Sequence, residues 1–245
     1  MNDLNLDKDY GRGSNGKKVK LIQEWLCFHG FNIAIDGDFG PATEYATKAF
    51  QKKKNLDING MVNKDTFARL IEPMQKVLKP ISGEGKKLGN LVAAYAKQHL
   101  KQHPVEIGGQ NKGPWVRLYM AGNEGAAWPW CAGFACFIVK QACEALAVPM
   151  PIQPSFSCDF LAARAKEKDI FLAGAEAAIK AKITPGSLFL NRRTSTDWTH
   201  TGIVLKADED VFHTIEGNTN DEGSREGYEV CKRIRGYKDK DFILI

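Results

Sequence analysis

The chemistry that this sequence could perform centres on Cys131, which follows an aromatic segment at residues 128–130. The spacing of the apolar residues after it predicts a helix to about residue 146, with Cys131 in the first turn. The unpaired N–H groups and positive dipole end of a helix N-terminus favour a thiolate, the nucleophilic form of cysteine. Cys131 alone among the six cysteines has this position. It is therefore the candidate nucleophile for acyl transfer, with a buried core residue as the alternative interpretation.

A thiolate nucleophile needs a base, and two of the five histidines, His200 and His213, lie in a region of predicted strands. His200 opens the segment 200–205, so its ring can project from the end of a sheet toward a helix packed on that sheet. Glu216 and Asn218 share one face of an extended strand, because side chains alternate, and His213 faces away from them. If that strand has no bulge, we expect Glu216 and Asn218 to orient His200, and His213 to be a structural or surface residue.

The elements that would position these side chains change in character along the second part of the chain. Helical spacing predicts helices at about residues 88–100, 114–119, 131–146 and 158–168, with Ser157 as the N-cap of the last. Short apolar or alternating segments follow at residues 187–190, 200–205, 211–216 and 242–245. Helices followed by antiparallel strands predict an α+β domain, which we place at residues 89–245.

The first part of the chain has only helical patterns. Apolar spacing predicts one helix ending near Phe28 and a second beginning at Pro41, and Asn63 can cap a third short helix. We therefore expect a small three-helix bundle at residues 12–72. Residues 73–88 are rich in proline, glycine and lysine, a composition typical of a linker.

A set of residues spread over these helices and the loop between the first two carries a family resemblance. The set is Gln23, Leu26, Asp36, Gly37, Asp38, Phe39, Gly40, Thr43, Ala46, Phe50, Gln51, Leu56, Gly60 and Thr66. It resembles the three-helix peptidoglycan-binding domain. The resemblance implies binding to peptidoglycan, with Asp36, Gly37, Phe39 and Gly40 as candidate contact residues. For each of them the alternative is a structural role in a glycine-rich turn.

Four segments of the second part carry another resemblance. They are Trp130-Cys131-Ala132-Gly133-Phe134, Pro185-Gly186-Ser187-Leu188, Thr199-His200-Thr201-Gly202-Ile203-Val204 and Glu216-Gly217-Asn218. Together they resemble the CHAP family of cysteine- and histidine-dependent amidohydrolases and peptidases, a papain-like family related to the NlpC-type wall peptidases. The resemblance covers about residues 90–245 and implies a papain-like domain, with helices packed on an antiparallel sheet. It also implies Cys131 as nucleophile, His200 as base, Glu216 as the orienting group and Asn218 as a fourth member.

The two resemblances together imply a peptidoglycan hydrolase that cleaves an amide bond of the bacterial cell wall. A phage lysin, an injected antibacterial effector and an autolysin would share the same site. One alternative is a catalytically inactive wall-binding protein. Another is a glycan-cleaving lysozyme that uses paired carboxylates such as Glu106 and Glu124.

Composition and charge argue against several other classes. The net charge of +5 is too small to indicate a nucleic-acid-binding protein, although it suits a polyanionic wall. No segment approaches the roughly 20 apolar residues of a membrane span. Residues 1–20 are polar and lack the apolar core and cleavage site of a signal peptide, so we expect none there. We therefore expect a monomer that is made in the cytoplasm and reaches the wall after lysis, holin release or injection. The spacing of histidine, cysteine and acidic residues predicts no metal or cofactor.

Overall fold

The structure is a computed structural model that describes residues 2–174, 181–220 and 227–245. In these ranges the fold is α+β, as predicted, with the helices preceding the strands. The helices are α1 (Lys17–Phe28), α2 (Pro41–Lys53), α3 (Lys64–Leu70), α4 (Glu72–Leu78), α5 (Leu88–Leu100), α6 (Pro114–Tyr119), α7 (Cys131–Leu146) and α8 (Cys158–Glu167). The strands are β1 (Phe171–Leu172), β2 (Leu188–Thr194), β3 (Asp197–Ala207), β4 (Val211–Thr219), β5 (Glu229–Gly236) and β6 (Lys240–Ile243). Among the described residues, no helix combines the length and apolarity needed to cross a membrane.

The first three helices form the predicted bundle, and local sequence fixes where they begin. α1 follows Gly16, whose φ of 103° lies in the region that favours glycine. Pro41 opens α2, where its missing N–H has no intrahelical partner to lose. Asn63 caps α3 by accepting a hydrogen bond from the Thr66 N–H, as expected. The apolar faces of the three helices meet in a core that includes Val19, Ile22, Trp25, Leu26, Phe50, Phe67 and Leu70.

The segment predicted as a linker contains a packed helix. α4 buries Met74 and Val77, and the Val77 carbonyl accepts a hydrogen bond from Gln141 Nε2 of α7 at 2.8 Å. Farther along, the Ile81 N–H donates to the Tyr95 hydroxyl at 2.9 Å. Pro73 lies in the first turn of α4, where a helix tolerates it. Residues 73–78 of the predicted linker are therefore helical, because a proline in the first turn does not prevent a helix.

The N-terminal helices pack directly against the C-terminal part. Trp25 of α1 meets Trp115 of α6 edge to face, with ring centroids 5.9 Å apart. Buried residues of both parts belong to one continuous apolar core. Beside this contact, Arg117 of α6 places Nη2 2.6 Å from Glu24 Oε2 and Nε 2.8 Å from Asp3 Oδ2. Arg117 therefore joins the two parts through charged hydrogen bonds as well as through packing.

Replacing Arg117 by methionine should lower the free energy of unfolding by about 3 kcal/mol, the scale for breaking a buried ion pair. Burial raises the pKa of Glu24 even beside Arg117, so losing the guanidinium leaves a buried carboxyl without its charge partner. Urea denaturation measures the change. Arg12→Met removes an exposed arginine that pairs with Glu44 and should cost about 1 kcal/mol or less. Equal effects of the two substitutions would contradict this account of the Arg117 contact.

The strands form one antiparallel sheet in the order β1-β6-β2-β3-β4-β5, and α5, α7 and α8 pack against it. The four predicted strands correspond to β2, β3, β4 and β6. β1 and β5 were not predicted. β1 has only two residues, and β5 lies at the edge of the sheet and carries Lys232, Arg233 and Arg235. Charged residues are common on edge strands, because they discourage pairing with other chains, but they hide the apolar alternation that marks a strand.

The register of the sheet decides which side chains share a face. The Glu216 side chain fills the space beside Gly202, where a Cβ would lie 2.6 Å from the Glu216 Cγ. His200 and Gly202 share a face because side chains alternate, so His200 and Glu216 lie on the same side. From His213 to Glu216, β4 pairs with β5 without a register shift. The predicted opposite orientation of His213 and Glu216 is therefore confirmed.

Candidate active site

Cys131 is the first residue of α7, as predicted, and its side chain is almost fully buried. The thiol contacts the thiol of Cys158, the ring of His200 and the backbone of Thr201. The Cys158 contact and the His200 ring stabilise the thiolate against the opposing effect of burial, so the pKa of Cys131 lies well below its ordinary value. The N-terminus of α7 favours the same charge. These surroundings favour the thiolate of Cys131 at neutral pH.

His200 connects the Cys131 thiol to a buried carboxylate. Its Nε2 lies 2.8 Å from Oε2 of Glu216, whose side chain is fully buried. Burial lowers the pKa of His200, but the interactions with Cys131 and Glu216 outweigh it and raise the pKa to about 9. The ring is therefore an imidazolium at neutral pH, paired with a thiolate on one side and a carboxylate on the other. The structure brings Cys131, His200 and Glu216 together.

Arg235 and Thr214, neither of which was predicted to be a site residue, hold the Glu216 carboxylate. Arg235 of β5 donates from Nε to Oε1 at 2.9 Å and from Nη2 to Oε2 at 2.6 Å. The Thr214 hydroxyl donates to Oε1 at 2.5 Å. Burial raises the pKa of Glu216, but the hydrogen bonds from Arg235 and His200 outweigh burial and hold the pKa at about 2. Glu216 therefore stays ionised and fixed in place beside the His200 ring.

Arg235→Met should shift the acid limb of any thiol-dependent activity upward by about 1–3 pH units, the range for losing a charge partner next to a carboxylate. The sign follows from burial: without the guanidinium, the pKa of the buried Glu216 rises, and a protonated Glu216 cannot stabilise the imidazolium. Hydrolysis rates between pH 4 and pH 9 test this, with Arg235→Lys expected to restore part of the profile. Arg193→Met removes an exposed arginine paired with Asp197 and should leave the profile unchanged. A uniform rate loss in Arg235→Met, without a pH shift, would contradict the prediction.

Asn218 does not hold the His200 ring, so the prediction for this residue is wrong. Its φ of 54° and the register shift between Glu216 and Thr219 interrupt the side-chain alternation on which that prediction depended. The Asn218 Oδ1 instead accepts a hydrogen bond from the Trp130 N–H at 3.0 Å, and its Nδ2 donates to the Gly227 carbonyl at 2.6 Å. Asn218 therefore fixes the backbone directly before Cys131.

His213 lies on the other face of β4, as predicted. Its side chain is 40% exposed, and Nε2 lies 3.3 Å from Asp208 Oδ2. His213 is a surface residue away from the Glu216 carboxylate.

The carboxylates considered for a lysozyme-type reaction are engaged in loop hydrogen bonds. Glu106 accepts from the Trp130 Nε1 at 2.9 Å and from the Asn111 N–H at 2.8 Å. Glu124 accepts from the Gly113 N–H at 2.9 Å and from Arg117 Nη1 at 2.8 Å. These contacts stabilise the loops on either side of α6. In the part of the chain that the structure describes, no group of three or more His, Cys, Asp or Glu side chains is arranged to hold a metal ion.

The candidate wall-binding loop at residues 36–40 is fixed by Gln23 of α1. The Gln23 Nε2 donates to Asp36 Oδ1 at 2.8 Å, and its Oε1 accepts from the Gly37 N–H at 2.8 Å. Asp36 is exposed, and Gly40 directly precedes α2. Phe39 has no exposed surface, because its ring belongs to the core of the bundle. The prediction of Phe39 as a contact residue is therefore wrong, because its side chain packs into the core and anchors the loop there.

Residues 15–70 match the family model described as "Putative peptidoglycan binding domain". The matched range contains α1, α2 and α3 with the loop between α1 and α2. The chain therefore carries a peptidoglycan-binding domain near its N-terminus, in agreement with the resemblance of the bundle.

Individual relatives are similar to the chain over short ranges. The carboxy-terminal processing protease CtpA of Bacillus subtilis is 32% identical over 75 residues, 31% of this chain and 16% of that protein. The zinc D-Ala-D-Ala carboxypeptidase of Streptomyces albus G is 32% identical over 73 residues, 29% of each protein. Among solved structures, the SleB N-terminal domain is 31% identical, with 27% of this chain and 93% of that chain covered and a TM-score of 0.27. A fused zinc-dependent amidase, peptidase and peptidoglycan-binding-domain protein of Clostridium acetobutylicum is 33% identical, with 37% and 42% covered and a TM-score of 0.27.

Proposed function

We propose that this protein is a peptidoglycan hydrolase that cleaves an amide bond of the bacterial cell wall by cysteine nucleophilic catalysis. One observation carries the proposal: the His200 ring contacts the Cys131 thiol and lies 2.8 Å from the buried Glu216 carboxylate. A nucleophile, a base and an orienting group in this order are the parts of a cysteine acyl-transfer site. The peptidoglycan-binding domain supports the wall as the substrate.

The reaction proceeds by acyl transfer. The Cys131 thiolate attacks the amide carbonyl, and the Cys131 N–H, which has no intrahelical acceptor at the start of α7, stabilises the oxyanion. The His200 imidazolium gives its proton to the leaving amine, so the C–N bond breaks and a thioester remains. His200 then takes a proton from water, which hydrolyses the thioester and restores the thiolate. Glu216 stays ionised and stabilises the imidazolium throughout.

The two parts of the chain have separate roles in this proposal. Residues 12–72 anchor the protein to the wall, and residues 89–245 carry the reaction. The wall is an immobile polymer, so an anchor raises the local concentration of cleavable bonds without changing the chemistry of the site. The setting we propose is a phage lysin or an antibacterial effector that acts at the cell wall.

Digestion of purified peptidoglycan sacculi tests the proposed function. Mass spectrometry should find new amine and carboxyl termini at one amide bond and intact glycan linkages. A new terminus at the lactyl–alanine junction defines an amidase, and one inside the peptides defines an endopeptidase. Prior treatment with iodoacetamide should stop the reaction, because it alkylates the thiolate. Release of new reducing sugar ends would favour the lysozyme alternative, and binding without any release would favour the inactive wall-binding protein.

A further inference from the structure

Cys158 is a second thiol in the candidate active site, and in the proposed reaction it only stabilises the Cys131 thiolate. It is the first residue of α8, which the Ser157 side chain caps, and only 7% of it is exposed, against 6% of Cys131. The two thiols are hydrogen-bond partners, and Trp128, just before α7, meets Phe156, just before α8, edge to face with ring centroids 6.0 Å apart. Each of them therefore begins a helix, so the prediction that Cys131 alone has this position is wrong.

Strand β3 holds the two helix starts together. Asp159 of α8 accepts a hydrogen bond from the Trp198 N–H at 2.6 Å. Cys131 of α7 contacts the backbone of Thr201, three residues farther along the same strand. Because α7 and α8 both pack on β3, their relative position is fixed by the sheet rather than by a loop. The contact between the thiols is a consequence of the fold.

The two thiols have unequal protonation. The contact with Cys131 and burial raise the pKa of Cys158 well above its ordinary value, whereas the same contact favours the Cys131 thiolate. Cys136, the nearest alternative on α7, donates instead to the Ser155 carbonyl at 3.4 Å, and burial raises its pKa to about 11. Cys131 is therefore the thiolate that meets an oxidant, and Cys158 is the thiol placed to respond. A low-pKa cysteine beside a second thiol is the usual arrangement of reversible cysteine oxidation.

We propose that Cys131 and Cys158 form an oxidation site, in which a hydroperoxide converts the two thiols into a disulfide. In the first step the Cys131 thiolate attacks one peroxide oxygen, the O–O bond breaks, and the other oxygen leaves with a proton as water or alcohol. Cys131 is then a sulfenic acid. In the second step the Cys158 sulfur attacks the Cys131 sulfur, the S–O bond breaks, and hydroxide leaves as water with the Cys158 proton. The peroxide gains the two electrons that the two thiols lose.

The disulfide has a direct consequence for the proposed function, on which this part of the inference rests. It removes the nucleophile, so hydrolysis stops. It also prevents further oxidation of Cys131 to sulfinic acid, which is irreversible in most proteins. A dithiol reductant restores both thiols by exchange. Oxidation therefore switches the site off without destroying it.

Peptide mapping of the full chain tests the inference. The protein is treated with hydrogen peroxide at pH 7, blocked with N-ethylmaleimide and digested without reduction. We expect a peptide pair joined through Cys131 and Cys158, loss of nearly all sacculus hydrolysis, and recovery of that activity after dithiothreitol. Cys158→Ala should instead carry sulfinic acid at Cys131 and should not recover. Cys158→Ser, which keeps a polar group at the start of α8, should give the same result and replaces the alanine variant where that variant does not fold.

Cys143→Ala provides the matched control, because Cys143 is also buried and lies farther along α7. After peroxide treatment, the Cys143→Ala protein should give the same disulfide-linked peptide pair as the protein without a substitution. A disulfide between Cys131 and Cys136, sulfinic acid at Cys131 without a disulfide, or no oxidation of Cys131 would each overturn the inference. The peptide map reports the disulfide whether or not the protein hydrolyses sacculi. A reducible disulfide in a protein that never hydrolyses sacculi would contradict the proposed function alone, and an active enzyme that forms no disulfide would contradict the oxidation site alone.

Discussion

Replacing Cys131 by alanine should abolish hydrolysis of sacculi, with a loss on the order of 10⁴-fold or more, the scale for removing the nucleophile of a hydrolytic triad. The substitution removes one sulfur atom at the start of α7, and alanine is a good helix former, so the fold should remain intact. The variant should therefore still cosediment with sacculi through the peptidoglycan-binding domain. Initial rates of fragment release, cosedimentation and circular dichroism on one preparation separate these effects.

Cys143→Ala is the control for removing a thiol from the same helix. Cys143 is 2% exposed, so the substitution should lower the free energy of unfolding by about 1 kcal/mol through lost packing. Its hydrolysis rate should match that of the unmodified sequence. Full activity of Cys131→Ala would overturn the proposed mechanism. An inactive but well-folded Cys143→Ala protein would show that a different thiol carries the reaction.

The helices of this fold could be predicted because their signals are local. Pro41 and Pro114 open α2 and α6, and the Ser157 hydroxyl accepts a hydrogen bond from the Phe160 N–H at the start of α8. Such signals depend on residues within one turn, so the sequence reveals them without knowledge of the rest of the fold. The position of Cys131 at the start of α7 belongs to this group. Cys158 has the same kind of position at the start of α8, so the resemblance of the residues around Cys131 is what distinguishes the candidate nucleophile.

The surroundings of Glu216 could be predicted only in part, because they depend on pairing between distant strands. The alternation within β4 correctly separates Glu216 from His213, since that stretch is regular. Arg235 reaches Glu216 across the β4–β5 pair, and nothing in its own neighbourhood marks it. Asn218 adopts a positive φ that a period-two pattern does not represent, so its predicted orientation failed.

Burial was the other quantity that local patterns could not supply. The resemblance of the N-terminal bundle identified the loop at residues 36–40, but it did not distinguish residues that shape the loop from residues that face outward. Phe39 is buried only because three helices close around it, and this is a property of the assembled core. α4 was missed for a related reason. Its two buried side chains, Met74 and Val77, are too few to stand out from the polar residues around them.

His200→Ala should lose nearly all hydrolysis, on a scale similar to Cys131→Ala, because residues that act as one unit have non-additive effects. The ring supplies the counter-charge for the Cys131 thiolate and the proton for the leaving amine. In the unmodified sequence the imidazolium is present below a pKa of about 9, since the interactions with Cys131 and Glu216 raise that pKa against burial. Activity should therefore fall as the pH rises through about 9. Initial rates between pH 6 and pH 10 on the same sacculi measure both effects.

His213→Ala and Glu216→Gln are the matched variants that test whether His200 is the base. His213→Ala removes an imidazole from the other face of β4, where Asp208 is its neighbour, and should keep most of the activity. Glu216→Gln should fall between the two histidine variants, because an amide can still hold the ring but stabilises the imidazolium less than a carboxylate does. Its alkaline limb should also move to lower pH, since a neutral partner no longer raises the pKa of His200. An inactive His213→Ala protein beside an active His200→Ala protein would assign the base to the other histidine and overturn the arrangement described for this site.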